Sequence, residues 1–182
     1  AAANAQESLD DYRQLVKEID HQASTTQKQL RDLGDGAVPA LIEALADEDD
    51  LVRLNVAHAL ASIANPVCVP ELARVAENDR RLDVRHQALI GLRHMADIRS
   101  LPTLVRLLGD NDEQTRSYAA QALAAIGHRR ATQSLAGSLA GDASNEVRTH
   151  AAIALMQIRD RRAVPTLVAA LSDRDLNVRG WA

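Results

Sequence analysis

The stretch DEDDLVR, Asp47 to Arg53, sets an aspartate six residues ahead of an arginine. The same spacing returns at Asp79/Arg85, Asp110/Arg116, Asp142/Arg148 and Asp173/Arg179, with successive aspartates 32, 31, 32 and 31 residues apart. A period this regular marks an array, in which each unit hides its apolar face against the next instead of around one central core. Counting from each arginine as position zero, the residue before it is Val52, Val84, Thr115, Val147 or Val178. Position three holds Val56, Ala88, Ala119 and Ala151, position seven Leu60, Leu92, Leu123 and Leu155, and position ten Ile63, Met95, Ile126 and Ile158. These columns form one apolar stripe at helical spacing, so each unit has a second helix, B, that starts near its arginine. Four residues before the arginine stand Asp49, Asp112, Ser144 and Asp175, with Arg81 breaking the column. Such oxygen-bearing side chains can cap the first turn of helix B.

Upstream lies a second period: Leu41, Ile42 and Leu45; Leu72 and Val75; Leu104, Val105 and Leu108; Leu135 and Leu139; Leu167, Val168 and Leu171. Pro39, Pro70, Pro102 and Pro165 precede four of these segments by two residues, in an opening turn where a missing amide costs little. These are the first helices, A, and each unit is an antiparallel helix pair. Residues 1–36 lack the spacing. There, Ser8 with Asp11 makes a variant capping box, and Tyr12, Leu15, Val16 and Ile19 share a helical face, so this segment is expected to be an N-terminal helical cap. Residues 37–182 are expected to hold four full repeats and a truncated fifth, with further repeats or a partner covering its end.

The pattern of helix-A prolines, turn aspartates, Val-Arg pairs and the Ala-Leu-Ile stripe resembles HEAT repeats, and more narrowly the short HEAT-like type associated with phycobilin lyases. The resemblance covers about residues 37–182. It implies an all-α fold, a right-handed α-solenoid of stacked antiparallel helix pairs. It also implies that the ladder aspartates Asp47, Asp79, Asp110, Asp142 and Asp173 brace their turns. They would meet the arginines Arg53, Arg85, Arg116, Arg148 and Arg179 of the same or a neighbouring repeat, which makes the ladder structural. Such proteins include scaffolds, lyase subunits and DNA-repair enzymes, so the resemblance alone does not choose an activity.

Composition narrows the classes. The chain has 182 residues and a net charge of −4, without the basic surplus of a general nucleic-acid binder. Residues 1–113 carry 12 Lys+Arg against 20 Asp+Glu, and residues 114–182 carry 9 against 5. Nucleic acid is therefore disfavoured, although Arg99, Arg129, Arg130, Arg159, Arg161 and Arg162 gather in the turns between units, a basic edge that could take an anionic ligand. Cys68 is alone, so neither an internal disulfide nor a thiolate cluster can form. No apolar run spans a bilayer and no signal peptide is visible; a cytoplasmic location is expected, or a periplasmic one if the N-terminus is processed.

If helix B buries its stripe, its other side is the place for function. In HEAT-like proteins this side lines the concave face. It carries Leu54, Asn55 and His58; His86, Gln87, Ile90, Arg93 and His94; Tyr118 and Gln121; and His150, Ile153, Met156 and Gln157. Aliphatic, aromatic and polar groups mixed in this way suit a protein or peptide partner. Of these, His58, His86, Ile90, Arg93, His94, Tyr118, Gln121, His150, Ile153, Met156 and Gln157 are the candidate contacts. His86 and His94 lie about 12 Å apart along a helix at 1.5 Å per residue, too far to share one ion, so no metal and no cofactor is expected. There is no Gly-rich phosphate loop, HExxH or G-x-S-x-G, and no His-Glu pair of the kind found in diiron HEAT-repeat hydroxylases. The reading is accordingly a non-catalytic interaction scaffold, not an enzyme. Its alternative, implied by the resemblance, is a bilin lyase subunit or another chromophore-handling protein.

Overall fold

The computed structural model describes residues 34–182, and the segment expected to cap the array lies almost wholly outside them. The chain divides into two compact bodies, Ala1–Met95 and Ala96–Ala182. In the first, helix α1 (Val38–Ala44) pairs with α2 (Asp50–Ile63), and α3 (Val69–Asn78) with α4 (Leu82–Met95). In the second, α5 (Leu101–Leu107) pairs with α6 (Glu113–Ile126), α7 (Thr132–Gly141) with α8 (Asn145–Ile158), and α9 (Val164–Ala170) precedes the short α10 (Leu176–Trp181). The described residues contain no strand.

The helix boundaries follow from side-chain chemistry. Asp49 accepts from the amide of Leu51, Asp112 from Thr115, Ser144 from Val147 and Asp175 from Asn177, so four helices B start on side-chain caps. Each proline of the helix-A column occupies the second residue of its helix. A short 3-10 turn precedes every helix A, a feature the apolar periods do not signal. In four of these turns the side chain of Asn65, Asp97, His128 or Asp160 accepts the amide two residues on. Helices α2, α6 and α8 end on the left-handed residues Ala64, Gly127 and Arg159.

The core contains the columns before the arginine and at positions three and seven, all essentially inaccessible. It is wider than the sequence stripe, because position four (Ala57, Leu89, Ala120, Ala152) and position six (Ala59, Gly91, Ala122, Ala154) are also buried. Helix B touches both its own helix A and neighbouring helices B, so two flanks are hidden, and small residues let the backbones approach. A Cβ on Gly91 would stand 3.1 Å from Leu72 and 3.2 Å from Ala61. Position ten behaves differently: Ile158 is buried, but Ile63, Met95 and Ile126 are half-buried where the helix runs out of neighbours. Asn55, read onto the open side, is buried. No described helix is long and apolar enough to cross a membrane.

Within each body the recurrent arginine ties one repeat to the next. Arg53 Nε lies 2.8 Å from Asp79 Oδ2 while its Nη1 donates to the carbonyl of Asp47, 2.8 Å away. Arg116 repeats this with Asp142 at 2.8 Å and the Asp110 carbonyl at 2.9 Å, and Arg148 with Asp173 at 2.8 Å and the Asp142 carbonyl at 3.0 Å. One guanidinium therefore closes its own turn and grips the aspartate of the following repeat. The aspartates in turn accept an amide two residues on, as Asp110 does from Asp112 and Asp142 from Ser144. Burial pushes the carboxyls of Asp79 and Asp142 up, but the bonds from Arg53 and Arg116 and from the turn amides outweigh it and hold both below the ordinary value. Arg179 closes its own turn in the same way, donating to the carbonyl of Asp173, and Arg85 donates to the carbonyl of Ala76.

Candidate functional site

Helices α6 and α8 of the second body set the open side of two adjacent repeats next to each other. Tyr118, Gln121, His150 and Ile153 are half-buried there, and Met156 and Gln157 are exposed. Their arrangement depends on a residue absent from the sequence reading, Ser117, which is wholly buried. Its Oγ donates to Glu146 Oε1 at 2.8 Å, lies 3.1 Å from His150 Nδ1, and accepts from Gln121 Nε2 at 3.3 Å. A hydroxyl has one proton to give and two lone pairs to receive. With the proton on Glu146 and Gln121 on one lone pair, the other receives the His150 Nδ1 proton. That saturates the oxygen, and a saturated, buried hydroxyl is no nucleophile; it acts as a post that fixes Gln121 and His150 at the surface. The sequence signal was available: Ser117 shares its column with Leu54 and His86, and Glu146 lies one helical turn before His150.

The first body presents the equivalent side of α2 and α4. His58, His86, Ile90 and Arg93 are half-buried and His94 is exposed, with its Nδ1 3.4 Å from the carbonyl of Ala61. Among the described residues, no three His, Cys, Asp or Glu side chains gather in a way that could hold a metal ion. Cys68 is buried, its Sγ 3.8 Å from Met95 Sδ.

Stacked antiparallel helix pairs with a turn aspartate and a following arginine define a class, the α-helical repeat proteins. Within that class the assignment is specific: a family model of HEAT repeats matches residues 14–93, 69–156 and 137–182, and the chain belongs to the HEAT-repeat family. The first of these matches begins inside the segment read as a cap. A deoxyhypusine hydroxylase of Eremothecium gossypii is 38% identical over 97 residues, which are 52% of this chain and 30% of that relative. The match thus spans about half of this chain and less than a third of the curated relative's length. Among solved structures, the complex of CpcE and CpcF of phycocyanin lyase from Nostoc sp. PCC7120 superposes with a TM-score of 0.62 at 28% identity, over 88% of this chain and 69% of that one. Human deoxyhypusine hydroxylase shares the fold, with a TM-score of 0.55 at 19% identity over 91% of this chain and 80% of that one.

These relatives overturn the expectation that the chain is not an enzyme. That expectation rested on missing contiguous motifs. In a repeat protein, reactive side chains can converge from several helices far apart in sequence, so a search for short motifs does not register them.

Proposed function

We propose that the helix-B face of the second body docks a polypeptide, with Ile153, Met156 and Tyr118 as apolar contacts and Gln121, His150 and Gln157 orienting the chain. The observation that supports this most is the saturated Ser117 hydroxyl. It holds two polar contact residues in place before any partner arrives, which lowers the ordering cost of binding. Ile90, Arg93, His58, His86 and His94 offer the same mixture on the first body. Met156→Asp together with Gln121→Ala should leave the melting temperature within a degree or two, since Met156 is 41% exposed and Gln121 is half-buried. The pair should weaken the partner strongly, because a carboxylate pressed into an apolar contact is costly unless paired. Unchanged affinity in both single variants and the pair would remove this face from consideration.

A catalytic role is the second reading, favoured by the 38% identity to a deoxyhypusine hydroxylase. Docking a polypeptide is compatible with it, because an enzyme acting on a protein substrate also needs such a face. Incubation with a deoxyhypusine-containing polypeptide, dioxygen and a two-electron reductant should then add the mass of one oxygen atom, the second oxygen leaving as water. No mass gain, with a characterised hydroxylase active in parallel, would dismiss this reading. The likeness to phycocyanin lyase makes bilin handling testable by the absorbance change on mixing with free chromophore.

A further inference from the structure

The turns between repeats in the second body are not alike. At Asp97–Ser100 the one arginine, Arg99, is consumed by Asp97, with Nε 3.0 Å from Oδ1 and Nη2 2.7 Å from Oδ2. The next two turns read His128-Arg129-Arg130-Ala131 and Asp160-Arg161-Arg162-Ala163, with Arg159 just ahead of the second. Residues 128–131 and 159–163 thus hold five arginines and one carboxylate, that of Asp160. At the position where the flanking turns place Asp97 and Asp160, the middle turn has His128, whose Nδ1 accepts the amide of Arg130 at 3.2 Å.

The two turns are bound into one platform. Arg162 grips Asp160, with Nη2 2.6 Å from Oδ2, and also donates to the carbonyl of Arg129 at 3.1 Å. Thr132 Oγ1 lies 3.1 Å from Asp160 Oδ2, and Arg129 Nε 3.9 Å from the same oxygen. The lone carboxylate is enclosed by these contacts, its side chain 6% exposed. Arg130 and Arg161 are exposed and make no side-chain hydrogen bond or ion pair among the described residues. Arg162 lines a small cavity of about 190 Å³ with Thr132, Gln133 and Ala136. Four of the five arginines stand ahead of helix N-termini, where positive charge opposes the helix dipole, so this cluster costs stability instead of adding it.

We propose that the platform formed by residues 128–133 and 159–162 is a docking site for an acidic polypeptide segment whose carboxylates are received by Arg130 and Arg161. Arg130 is the third residue of its turn and Arg161 the second of the next, and consecutive repeats are spaced by roughly 10 Å, the distance between packed helices. A segment in the polyproline II conformation, with three residues per turn and a rise of about 3.1 Å each, returns every third side chain to the same face about 9 Å further on, so carboxylates three apart would face the two turns together. Guanidinium forks match carboxylates in bidentate geometry. A nucleic acid fits less well: Tyr118 and Trp181, the aromatic residues of this body, lie on α6 and α10 and not in these turns, so none is present to stack a base. The A-to-B turns of the same body carry Asp110, Asp112, Glu113, Asp142, Asp173 and Asp175, which would repel a long polyanion. The site shares no residue with the helix-B face, so either proposal can fail alone.

The test uses the whole chain and a fluorescein-labelled extended peptide with Glu at every third position, its Gln counterpart, and a single-stranded oligothymidine of equal charge. The acidic peptide should bind with strong salt dependence and the Gln peptide should not. Arg130→Glu with Arg161→Glu should weaken the acidic peptide at least about ten-fold without moving the melting temperature. Arg130→Gln with Arg161→Gln provides the same reading without charge reversal, and Arg99→Gln should have no effect. Equal binding of the Gln peptide, or wild-type affinity in both double variants, would overturn the proposal. So would oligothymidine displacing the acidic peptide at lower concentration, which would make this a nucleic-acid site.

Discussion

Replacing Arg116 by Ala removes four hydrogen bonds at once: two to the Asp142 carboxylate at 2.8 and 3.0 Å, one to the Asp110 carbonyl at 2.9 Å and one to the Asn111 carbonyl at 3.2 Å. What remains is a carboxylate whose side chain is 7% exposed, with one amide bond from Ser144 to satisfy it. Breaking a buried pair from one side costs about 3–5 kcal/mol. A groove of about 540 Å³ lined by Asp110, Gly137, Gly141 and Asp142 admits water here, which places the cost at the low end, about 3 kcal/mol. At an m-value of about 2 kcal/mol per molar in urea, the unfolding midpoint should fall by about 1.5 M. The loss should shrink in acid, and the sign follows from the pKa. In the wild type the carboxyl of Asp142 is held below its ordinary value, so its contribution is complete above about pH 4 and disappears as pH falls through the depressed folded value. In the variant, burial acts without the arginine and raises the folded pKa, so protonation relieves the buried charge. Urea titrations at pH 7 and pH 3 should therefore show the two proteins converging. A midpoint unchanged at pH 7, or a gap of the same size at pH 3, would show that the ladder does not hold the repeats together.

Two further outcomes follow from the core. Leu123 is wholly buried in α6, and Leu123→Ala should cost about 2–5 kcal/mol through lost burial and a residual cavity, read as a lower urea midpoint. Two helical glycines should behave oppositely. Gly91→Val, with neighbours already 3.1–3.3 Å from its first added carbon, should lose about 1–3 kcal/mol, while Gly137→Ala, with nothing within 4 Å, should gain about 0.5–1 kcal/mol. Differential scanning calorimetry of the two variants checks both signs.

The fold was legible because its causes repeat. An arginine that returns in five registers with an aspartate six residues upstream, four times behind a valine, is not placed by accident, and Leu60, Leu92, Leu123 and Leu155 are buried in the column that this register assigns. The second buried flank was harder to see, since Ala57, Ala120 and Ala152 look neutral in an apolar pattern although each is packed against a neighbour. Asn55 was misplaced for the same reason: a period computed for one buried face puts it outside, and the second face hides it. The site was legible only in outline. Gln121 and His150 could be put on one side of helix B by spacing, but the hydroxyl that positions them belongs to Ser117, whose buried contacts cross between helices 29 and 33 residues apart. Spacing sets Glu146 one turn before His150 and Ser117 in the column of Leu54 and His86, but it does not bring the two helices together. The catalytic question was the least legible, because the argument against an enzyme used contiguous motifs and the contrary finding came from relatives matched over half the chain.

The most direct test of a docking face on helix B is photo-crosslinking in the source cell from single positions on opposite sides of one repeat. A benzoylphenylalanine at Met156, exposed on α8, is compared with one at Ala140, exposed on α7. The account predicts a discrete polypeptide adduct from position 156, lost when Gln121→Ala is added, and none from position 140. An adduct from position 140 with none from 156 would contradict it.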